Sequence, residues 1–314
     1  MSAEHTTALG YPSAFGYIGR FAPSPTGPLH FGSLLGALAS FLDARANGGR
    51  WLVRIEDIDP QREVAGAAHD ILKCLRSHGL WWDGEVWYQS RRSEFYRAAI
   101  AQLLAANRAF YCVCSRSELA DSGGIYAGRC RACTLAPSAP YAIRLRVDDC
   151  DIVFSDGIQG SIHQNMAREV GDFVLFRKES LAAYQLAVVI DDAAQGITHV
   201  VRGSDLLDST ARQIFLQQRL ALNTPHYAHI PVIANRDGQK LSKQTLAPAL
   251  ETGAAPQNLL AALEFLNQPP PEGNARDSVE QILCWAVAHW QLANVPRRLS
   301  RSGADLPASC RRFA

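Results

Sequence analysis

Residues 21–33 read FAPSPTGPLHFGS, with three prolines, two glycines and His30 directly before a helical run. Proline fixes φ, so this loop loses little entropy when it becomes ordered. A glycine-bearing turn between a first strand and its helix offers backbone N–H groups at the positive end of the helix dipole, which suits a phosphate. The segment is neither G-x-G-x-x-G nor a P-loop, so we expect the cationic groups to come from His30 and the lysines at 240–243.

Strand and helix patterns alternate on both sides of a less regular middle section. Residues 15–22 predict a strand, 31–47 a helix that stops at Gly48 and Gly49, and a second strand starts at residue 50. The alternation resumes after residue 165. This predicts an α/β fold with a parallel sheet and crossover helices. The expected parts are an N-terminal extension (1–14), two halves of a catalytic domain (15–109 and 166–245), an insertion (110–165) and a short helical C-terminal region (246–314).

The composition excludes several classes of protein. The net charge is +1, so any RNA must be held by a local patch and not by the overall charge. The N-terminal stretch has no cationic start followed by an apolar core, and no run approaches the ~20 apolar residues of a membrane span. We therefore expect a cytoplasmic protein with no membrane contact.

Four of the eight cysteines lie between residues 112 and 133, as C-x-C followed by C-x-x-C. Eight cysteines are too few for a disulfide scaffold in a chain of 314 residues, and this spacing suggests a closed zinc site of four thiolates. On spacing alone, Cys112, Cys114, Cys130 and Cys133 are all candidate ligands.

Five motifs in order carry a resemblance to the class I aminoacyl-tRNA synthetases of the glutamate type. RFAPSPTGPLHFGS resembles their first signature and KLSKQ their second, and between them lie LVRIEDIDPQR, WWDGEVWYQSRR and YQLAVVIDDAAQGITHVVRGSDLLDSTARQ. The stretch HIPVIANRDGQKLSK leads into the second signature and shares KLSK with it. The match covers roughly residues 16–260. The tetrad from His30 to Ser33 has no second histidine, which is ordinary in this subfamily. The lysine motif ends in Gln244, which together with the short chain and the cysteine cluster resembles the glutamyl-Q tRNA(Asp) synthetase branch.

Chain length is also typical of that branch. The chain continues for 71 residues after Lys243, too few for the helical anticodon-binding half of ordinary bacterial glutamyl-tRNA synthetases. The resemblance therefore implies a Rossmann-type parallel sheet with a zinc-binding insertion, a short helical C-terminal region and no anticodon-binding domain. It also implies attachment of glutamate to the queuosine base at the wobble position of tRNA(Asp), with ATP, Mg²⁺, L-glutamate and that tRNA as partners. We expect a monomer.

The resemblance assigns site residues by motif position. His30, Lys240 and Lys243 would be catalytic, and His30, Gly32, Ser242 and Lys243 would bind ATP. The residues implied for glutamate binding are Arg20, Phe21, Ala22, Pro23, Ser24, Glu56, Tyr184 and Arg202. Outside this family context, Arg20 and Glu56 would be interpreted as a simple ion pair.

For the metal, the resemblance replaces one cysteine by a tyrosine. The implied ligands of a structural Zn²⁺ are Cys112, Cys114, Tyr126 and Cys130, with Cys133 as the competitor of Tyr126. A phenolate ligand is chemically reasonable because the cation depresses its pKa.

Several residues and functions stay open. Asp191 and Asp192 are candidates for the base of the transfer step, but a cap on the following turn is the stronger interpretation. Five histidines are expected to be structural or exposed: His78, His163, His199, His226 and His229. The alternative functions are a truncated glutamyl-tRNA synthetase that charges the 3′ end of tRNA(Glu) and a non-catalytic paralogue that binds RNA or amino acid.

Overall fold

The computed structural model describes residues 16–115, 118, 125–234, 249–269, 278–302 and 305–313. In chain order its strands are β1 (Ile18–Phe21), β2 (Arg50–Ile55), β3 (Trp87–Tyr88), β4 (Ala109–Cys112), β5 (Ala142–Leu145), β6 (Asp151–Asp156), β7 (Gly160–Asn165), β8 (Val174–Phe176), β9 (His199–Gly203), β10 (His226–Ile230), β11 (Val232–Ile233) and β12 (Ser300–Arg301). Its α-helices are α1 (Phe31–Ala46), α2 (Ala67–Ser77), α3 (Ser93–Ala105), α4 (Tyr184–Ala194), α5 (Leu207–Leu220), α6 (Ala255–Phe265) and α7 (Val279–His289).

A parallel sheet positions the candidate site. β1, β2 and β3 pair in that order, and β9 pairs with β10, all in parallel. The Thr198 N–H donates to the Ile18 carbonyl (3.0 Å), which brings β9 beside β1 on the edge opposite β2. The order β3-β2-β1-β9-β10 therefore reverses its winding between β1 and β9. In sheets of this kind, ligands bind outside the carboxyl ends of the strands at that reversal.

Helices cover both faces of this sheet. α1 packs on β1, β2 and β9 and also contacts α6 and α7, while α4 packs against α3 and α5. β2 shows how one strand serves both layers: Trp51 and Val53 belong to the core around α1, and Leu52 belongs to the core around α4. Burial on both faces explains the nearly continuous apolar run of this strand. The α/β fold with a parallel sheet, predicted from the alternation, is confirmed.

The turn between α1 and β2 requires its two glycines. Gly48 lies in the left-handed region at φ +63°, and a Cβ on Gly49 would stand 2.3 Å from the Tyr17 carbonyl oxygen. The predicted stop at this pair is close to the observed helix end at Ala46. The turn lets β2 start directly beside β1.

The middle of the chain is antiparallel. β4, β5 and β8 form one sheet, and β6 and β7 form a hairpin that contacts β10. β8 follows residue 165, so this sheet joins the cysteine-bearing stretch to the segment that leads into α4. The domain boundaries given above stay predictions. Among the described residues, no helix combines the length and apolar character needed to cross a membrane.

Candidate functional site

A cavity of about 770 Å³ opens at the carboxyl ends of β1, β2, β9 and β10. It lies where the strand order reverses. The structure brings together in its lining all eight residues implied for glutamate binding, along with two of those implied for ATP: Arg20, Phe21, Ala22, Pro23, Ser24, Glu56, Tyr184, Arg202, His30 and Gly32. Lys240, Ser242 and Lys243 lie outside the described residues.

The proline-rich loop is anchored to the segment that follows β2. The Pro23 carbonyl accepts from the Glu56 N–H (3.0 Å), and the Pro25 carbonyl accepts from the Val64 N–H (3.0 Å). Within the loop, Thr26 donates to the Ser24 carbonyl (2.9 Å). Backbone bonds of this kind, together with the fixed φ of proline, give the loop a defined path from β1 to α1.

His30 stands at the start of α1. It is the N-cap residue with extended backbone, and its ring Nε2 lies 3.1 Å from the Ser33 hydroxyl. A Cβ on Gly32 would stand 3.1 Å from the His30 ring, so glycine lets the imidazole lie across the first helical turn. The helix start, with its backbone N–H groups, faces the cavity beside this ring.

Behind the cavity, buried charges form one network. Arg54 is fully buried and forms two ion pairs through Nη2, which lies 2.7 Å from Asp192 Oδ1 and 3.5 Å from Glu56 Oε1. Arg20 Nε lies 3.3 Å from Asp192 as well. Arg20 and Glu56 therefore pair with Asp192 and Arg54 respectively, and the simple ion pair between the two is not what forms.

Asp191 belongs to the other side of the network. It accepts hydrogen bonds from Gln89 (2.9 Å), Arg92 (2.5 Å) and Tyr96 (2.7 Å). Both Asp191 and Asp192 lie inside α4, which ends at Ala194. The interpretation that these aspartates cap a turn is therefore wrong, because their carboxylates pair with side chains from the sheet and α3. Both are committed to arginines, which also argues against either as a free base.

The network shifts the pKa values of two of its carboxyl groups in opposite directions. Burial raises the pKa of Glu56 to about 7 and outweighs the attraction of Arg54 and Arg20. Burial would also raise the pKa of Asp192, but Arg20 and Arg54 outweigh it and hold that pKa below its ordinary value. Glu56 is thus the group whose charge depends on what enters the cavity.

Two residues that line the cavity each have a buried polar atom without a hydrogen bond. Within the described part of the chain these atoms are Arg202 Nη1 and Glu56 Oε1, and Glu56 Oε1 has only the 3.5 Å ion-pair contact with Arg54 Nη2. Arg202 uses its other nitrogens, since Nε donates to His229 (3.0 Å) and Nη2 to Thr210 (2.8 Å). A carboxyl group and a guanidinium that line one cavity can receive an ammonium and a carboxylate.

The cysteine cluster lies in the antiparallel part. Cys112, Cys114 and Cys130 are buried, with ligand atoms within 4.8 Å of one another. The Tyr126 hydroxyl lies 3.5 Å from Cys112 Sγ and 3.6 Å from Cys114 Sγ. Cys133 is exposed and does not belong to this group of thiols.

The residues present fit a zinc ion. The Sγ atoms of Cys114 and Cys130 are 3.5 Å apart, close to the ~3.8 Å edge of a tetrahedron with Zn–S distances of ~2.3 Å. Arg144 Nε donates to Cys112 Sγ (3.4 Å), and its guanidinium lies 4.3 Å from the Tyr126 ring centroid. A buried cation beside these sulfurs offsets the negative charge of thiolate ligands.

The sequence and the fold match known proteins. The family model for the catalytic domain of class I tRNA synthetases (E and Q) matches residues 18–258. The chain is 52% identical to the glutamyl-Q tRNA(Asp) synthetase of Pseudomonas paraeruginosa, with 90% of this chain and 96% of that protein covered. It is 53% identical to the glutamyl-Q tRNA(Asp) synthetase of Neisseria meningitidis serogroup C, with 90% of this chain and 98% of that protein covered.

The chain belongs to the glutamyl-Q tRNA(Asp) synthetase family. Among solved structures, a glutamate tRNA ligase from Elizabethkingia meningosepticum in complex with its amino acid matches with a TM-score of 0.78 and 26% identity. The match covers 95% of this chain and 69% of that one. The family resemblance predicted from five motifs is thus confirmed.

Sequence reasoning missed Arg54 in this synthetase fold. Arg54 lies in the middle of β2, where its neighbours Val53 and Ile55 are fully buried. A charged residue inside an apolar strand was the available signal, because such a residue needs a buried partner. Its partners Asp191 and Asp192 lie in α4, more than 130 positions away in the sequence.

Proposed function

We propose that the cavity binds L-glutamate and ATP, forms glutamyl-adenylate, and transfers the glutamate to the queuosine base of tRNA(Asp). The observation that carries this proposal is the placement of Glu56 and Arg202 in the lining of one cavity, where each has a buried polar atom that makes no hydrogen bond. Glutamate brings one ammonium and two carboxylates. Glu56 would receive the ammonium, and Arg202 with Arg20 would bind carboxylate oxygens.

Glutamate activation needs positioning more than acid–base chemistry. The α-carboxylate, with a reference pKa of about 3.5, is already ionised at neutral pH and needs no base. Its oxygen forms a bond to the α-phosphorus of ATP, while the bond from that phosphorus to pyrophosphate breaks. His30 and the backbone at the start of α1 would hold phosphate oxygens there. Lys240 and Lys243 would neutralise charge on the phosphates, with Ser242 as a hydroxyl donor.

Selection of glutamate over glutamine follows from the cationic lining. An amide cannot accept a bidentate guanidinium pair, so glutamine would leave a buried charge incompletely paired at a cost of ~1.5–3 kcal/mol. Phe21, Ala22, Pro23, Ser24 and Tyr184 would shape the rest of the amino-acid pocket.

In the transfer step, a hydroxyl of the queuosine cyclopentene diol would attack the carbonyl carbon of the adenylate, and AMP would leave. This diol replaces the ribose diol at the 3′ end of a tRNA. The relatives from Pseudomonas and Neisseria, which are glutamyl-Q tRNA(Asp) synthetases, support this acceptor. The truncated tRNA(Glu)-charging enzyme and the non-catalytic paralogue are the outcomes against which this proposal is tested.

Two metals complete the proposal. Mg²⁺ would accompany ATP and neutralise the departing pyrophosphate. Zn²⁺ would be held by Cys112, Cys114, Cys130 and the Tyr126 phenolate, and would have a structural role in the antiparallel region. The monomeric state and the cytoplasmic location stay predictions.

The decisive experiment supplies ATP, Mg²⁺ and radiolabelled glutamate with tRNA(Asp) that carries or lacks queuosine. We expect retained label with the modified tRNA alone. Label retained on the 3′ end of tRNA(Glu) would identify the truncated charging enzyme, and no glutamyl-adenylate under any condition would leave the non-catalytic paralogue.

A matched pair of variants assigns the cavity. Arg20→Ala should abolish glutamate-dependent ATP–pyrophosphate exchange, measured with and without tRNA(Asp). Asp192 keeps its 2.7 Å bond to Arg54 in that variant, so the fold should persist. Arg168→Ala, at an exposed position outside the cavity, is the control and should retain full exchange. Unchanged exchange in Arg20→Ala would remove Arg20 from the pocket.

A further inference from the structure

Three buried polar side chains connect the β6–β7 hairpin to the cavity. Asp156 ends β6, and its Oδ2 lies 2.5 Å from His229 Nδ1. His229 Nε2 in turn lies 3.0 Å from Arg202 Nε. Asp156, His229 and Arg202 are 3%, 0% and 5% exposed, so water does not substitute for any of these contacts.

The hydrogen bonds around Asp156 fix its protonation. Its other oxygen, Oδ1, accepts from the backbone N–H groups of Ile158 (3.0 Å), Gln159 (2.8 Å) and His229 (3.1 Å). Three donors at one oxygen favour the ionised carboxylate, which is an acceptor at both oxygens. Oδ2 therefore takes the Nδ1–H of His229.

The hydrogen bond from His229 Nδ1 to Asp156 determines whether Nε2, on the other side of the imidazole, donates or accepts. A neutral His229 protonated at Nδ1 presents a lone pair at Nε2. Arg202 carries donors alone, so a lone pair at Nε2 is the arrangement that satisfies Arg202 Nε. The Thr210 hydroxyl also lies 3.2 Å from Nε2 and 2.8 Å from Arg202 Nη2. With Nε and Nη2 held in this way, Nη1 is left for a ligand in the cavity.

Backbone contacts place the hairpin turn that carries Asp156. The Gly157 N–H donates to the Tyr227 carbonyl (2.8 Å), and the Gln159 side chain donates to the His229 carbonyl (2.8 Å). The turn is thereby fastened along β10, directly beside His229. These contacts fix the position of the Asp156 carboxylate relative to β10.

We propose that Asp156 is a positioning residue for glutamate binding, which acts through the His229 tautomer to orient the Arg202 guanidinium. The inference rests on the proposed function, since it assigns Arg202 a substrate carboxylate. It gives the β6–β7 hairpin, which lies outside the parallel sheet, a role in amino-acid recognition. His229, which the sequence analysis expected to be structural or exposed, connects Asp156 of the hairpin to Arg202 in the cavity lining.

Asp156→Asn tests this proposal with little change of shape. The amide oxygen can still accept the three backbone bonds, but the NH₂ group then faces His229 Nδ1 and requires the opposite tautomer. That tautomer points a donor at Arg202 Nε, so the guanidinium must move. We expect the KM for glutamate to rise roughly tenfold or more, as for a lost hydrogen bond to a charged group, while the KM for ATP changes less than about twofold.

Asp151→Asn is the matched control. Asp151 accepts a hydrogen bond from Asn165 (2.8 Å), but it is exposed and lies at the opposite end of β6 from Asp156. Its glutamate KM should equal that of the wild type. A merely structural role of Asp156 would lower the melting temperature without this selective rise in the KM for glutamate, and equal KM values in the two variants would overturn the proposal.

A double-mutant cycle separates action through Arg202 from other effects. In an Arg202→Lys background the bidentate fork is gone, so adding Asp156→Asn should raise the glutamate KM by less than about twofold. The same factor in both backgrounds would contradict the proposal. Wild-type activity with glutamate is measured first, so a failure of the proposed function is recognised separately.

A measurement on the wild-type protein avoids any folding defect of the variants. The ¹⁵N chemical shifts of the His229 ring should show a protonated Nδ1 and an unprotonated Nε2 at neutral pH. A spectrum with the proton on Nε2 would overturn the proposal, whatever the variants do.

Discussion

The two buried polar clusters of this protein differ in what they need from outside the chain. The network around Arg54 combines three arginines with three carboxyl groups: Arg20, Arg54, Arg92, Glu56, Asp191 and Asp192. Once Glu56 is ionised, its charges balance without any ligand. The cluster of Cys112, Cys114 and Cys130 places three thiols within 4.8 Å, and their thiolates would repel one another without a cation. A substrate pocket can therefore be ready in advance, whereas the cysteine cluster depends on metal for its final form.

Removing one charge from the first cluster should have the largest effect. Arg54→Met keeps a long side chain but leaves Glu56, Asp191 and Asp192 without their shared cation. We expect the free energy of unfolding to fall by about 3–5 kcal/mol, as for one lost partner of a buried ion pair. Urea denaturation at neutral pH measures it.

Arg168→Met is the control for this prediction. Its ion pair with Asp149 is exposed, with side chains 76% and 61% accessible, so the loss should stay within ~1 kcal/mol. Equal losses in the two variants would mean that the balance of buried charge is not what stabilises the pocket.

Zinc binding by the second cluster should depend on Tyr126 and hardly on the exposed Cys133. Tyr126→Phe should weaken zinc binding at least about tenfold, because the hydroxyl beside Cys112 and Cys114 is lost. Cys133→Ser should retain zinc, since that thiol is exposed and outside the cluster. Zinc content after dialysis against a competing chelator measures both. Loss of zinc from Cys133→Ser but not from Tyr126→Phe would instead support the site of four cysteine ligands.

The smallest effect is a pH dependence of glutamate binding. The pKa of Glu56 is raised to about 7, so its carboxyl group is mostly neutral at pH 6 and mostly charged at pH 8. Attraction for the ammonium is therefore lost as the pH falls, and the Kd for glutamate should rise about tenfold from pH 8 to pH 6.

Calorimetric titration with glutamate tests this pH dependence. Glu56→Gln should bind more weakly at pH 8 and show a flat profile across the same range. A wild-type profile that is equally flat would show that the charge of Glu56 does not govern ammonium binding, and the first cluster would then be fully set before substrate arrives.

The sequence predicted well what depends on local pattern. The alternation of strands and helices, the stop at Gly48 and Gly49, and the loop before His30 follow from neighbouring residues. Those site residues named from motifs that the structure describes gather in one cavity because the ends of parallel strands meet at one edge of the sheet.

The sequence did not reveal the contacts between distant elements. Asp192 is adjacent to Asp191 in the chain, yet each aspartate takes a different set of partners. Arg54 lies 2.7 Å from Asp192 and 3.9 Å from Asp191, and these two distances depend on how α4 is rotated against the sheet. That rotation comes from packing among α3, α4 and α5, which no local pattern encodes. The same holds for Asp156, whose partner His229 is 73 positions away.

The wide spacing of the Arg54 network also bears on how the chain emerges during synthesis. Arg20 and Arg54 leave the ribosome early, but Asp191 and Asp192 follow more than 130 residues later. Until then the first half carries cations whose burial is opposed by desolvation. The nascent N-terminal half should consequently stay loosely folded, exposed to proteases or in need of chaperones, until α4 has been translated and docks against it.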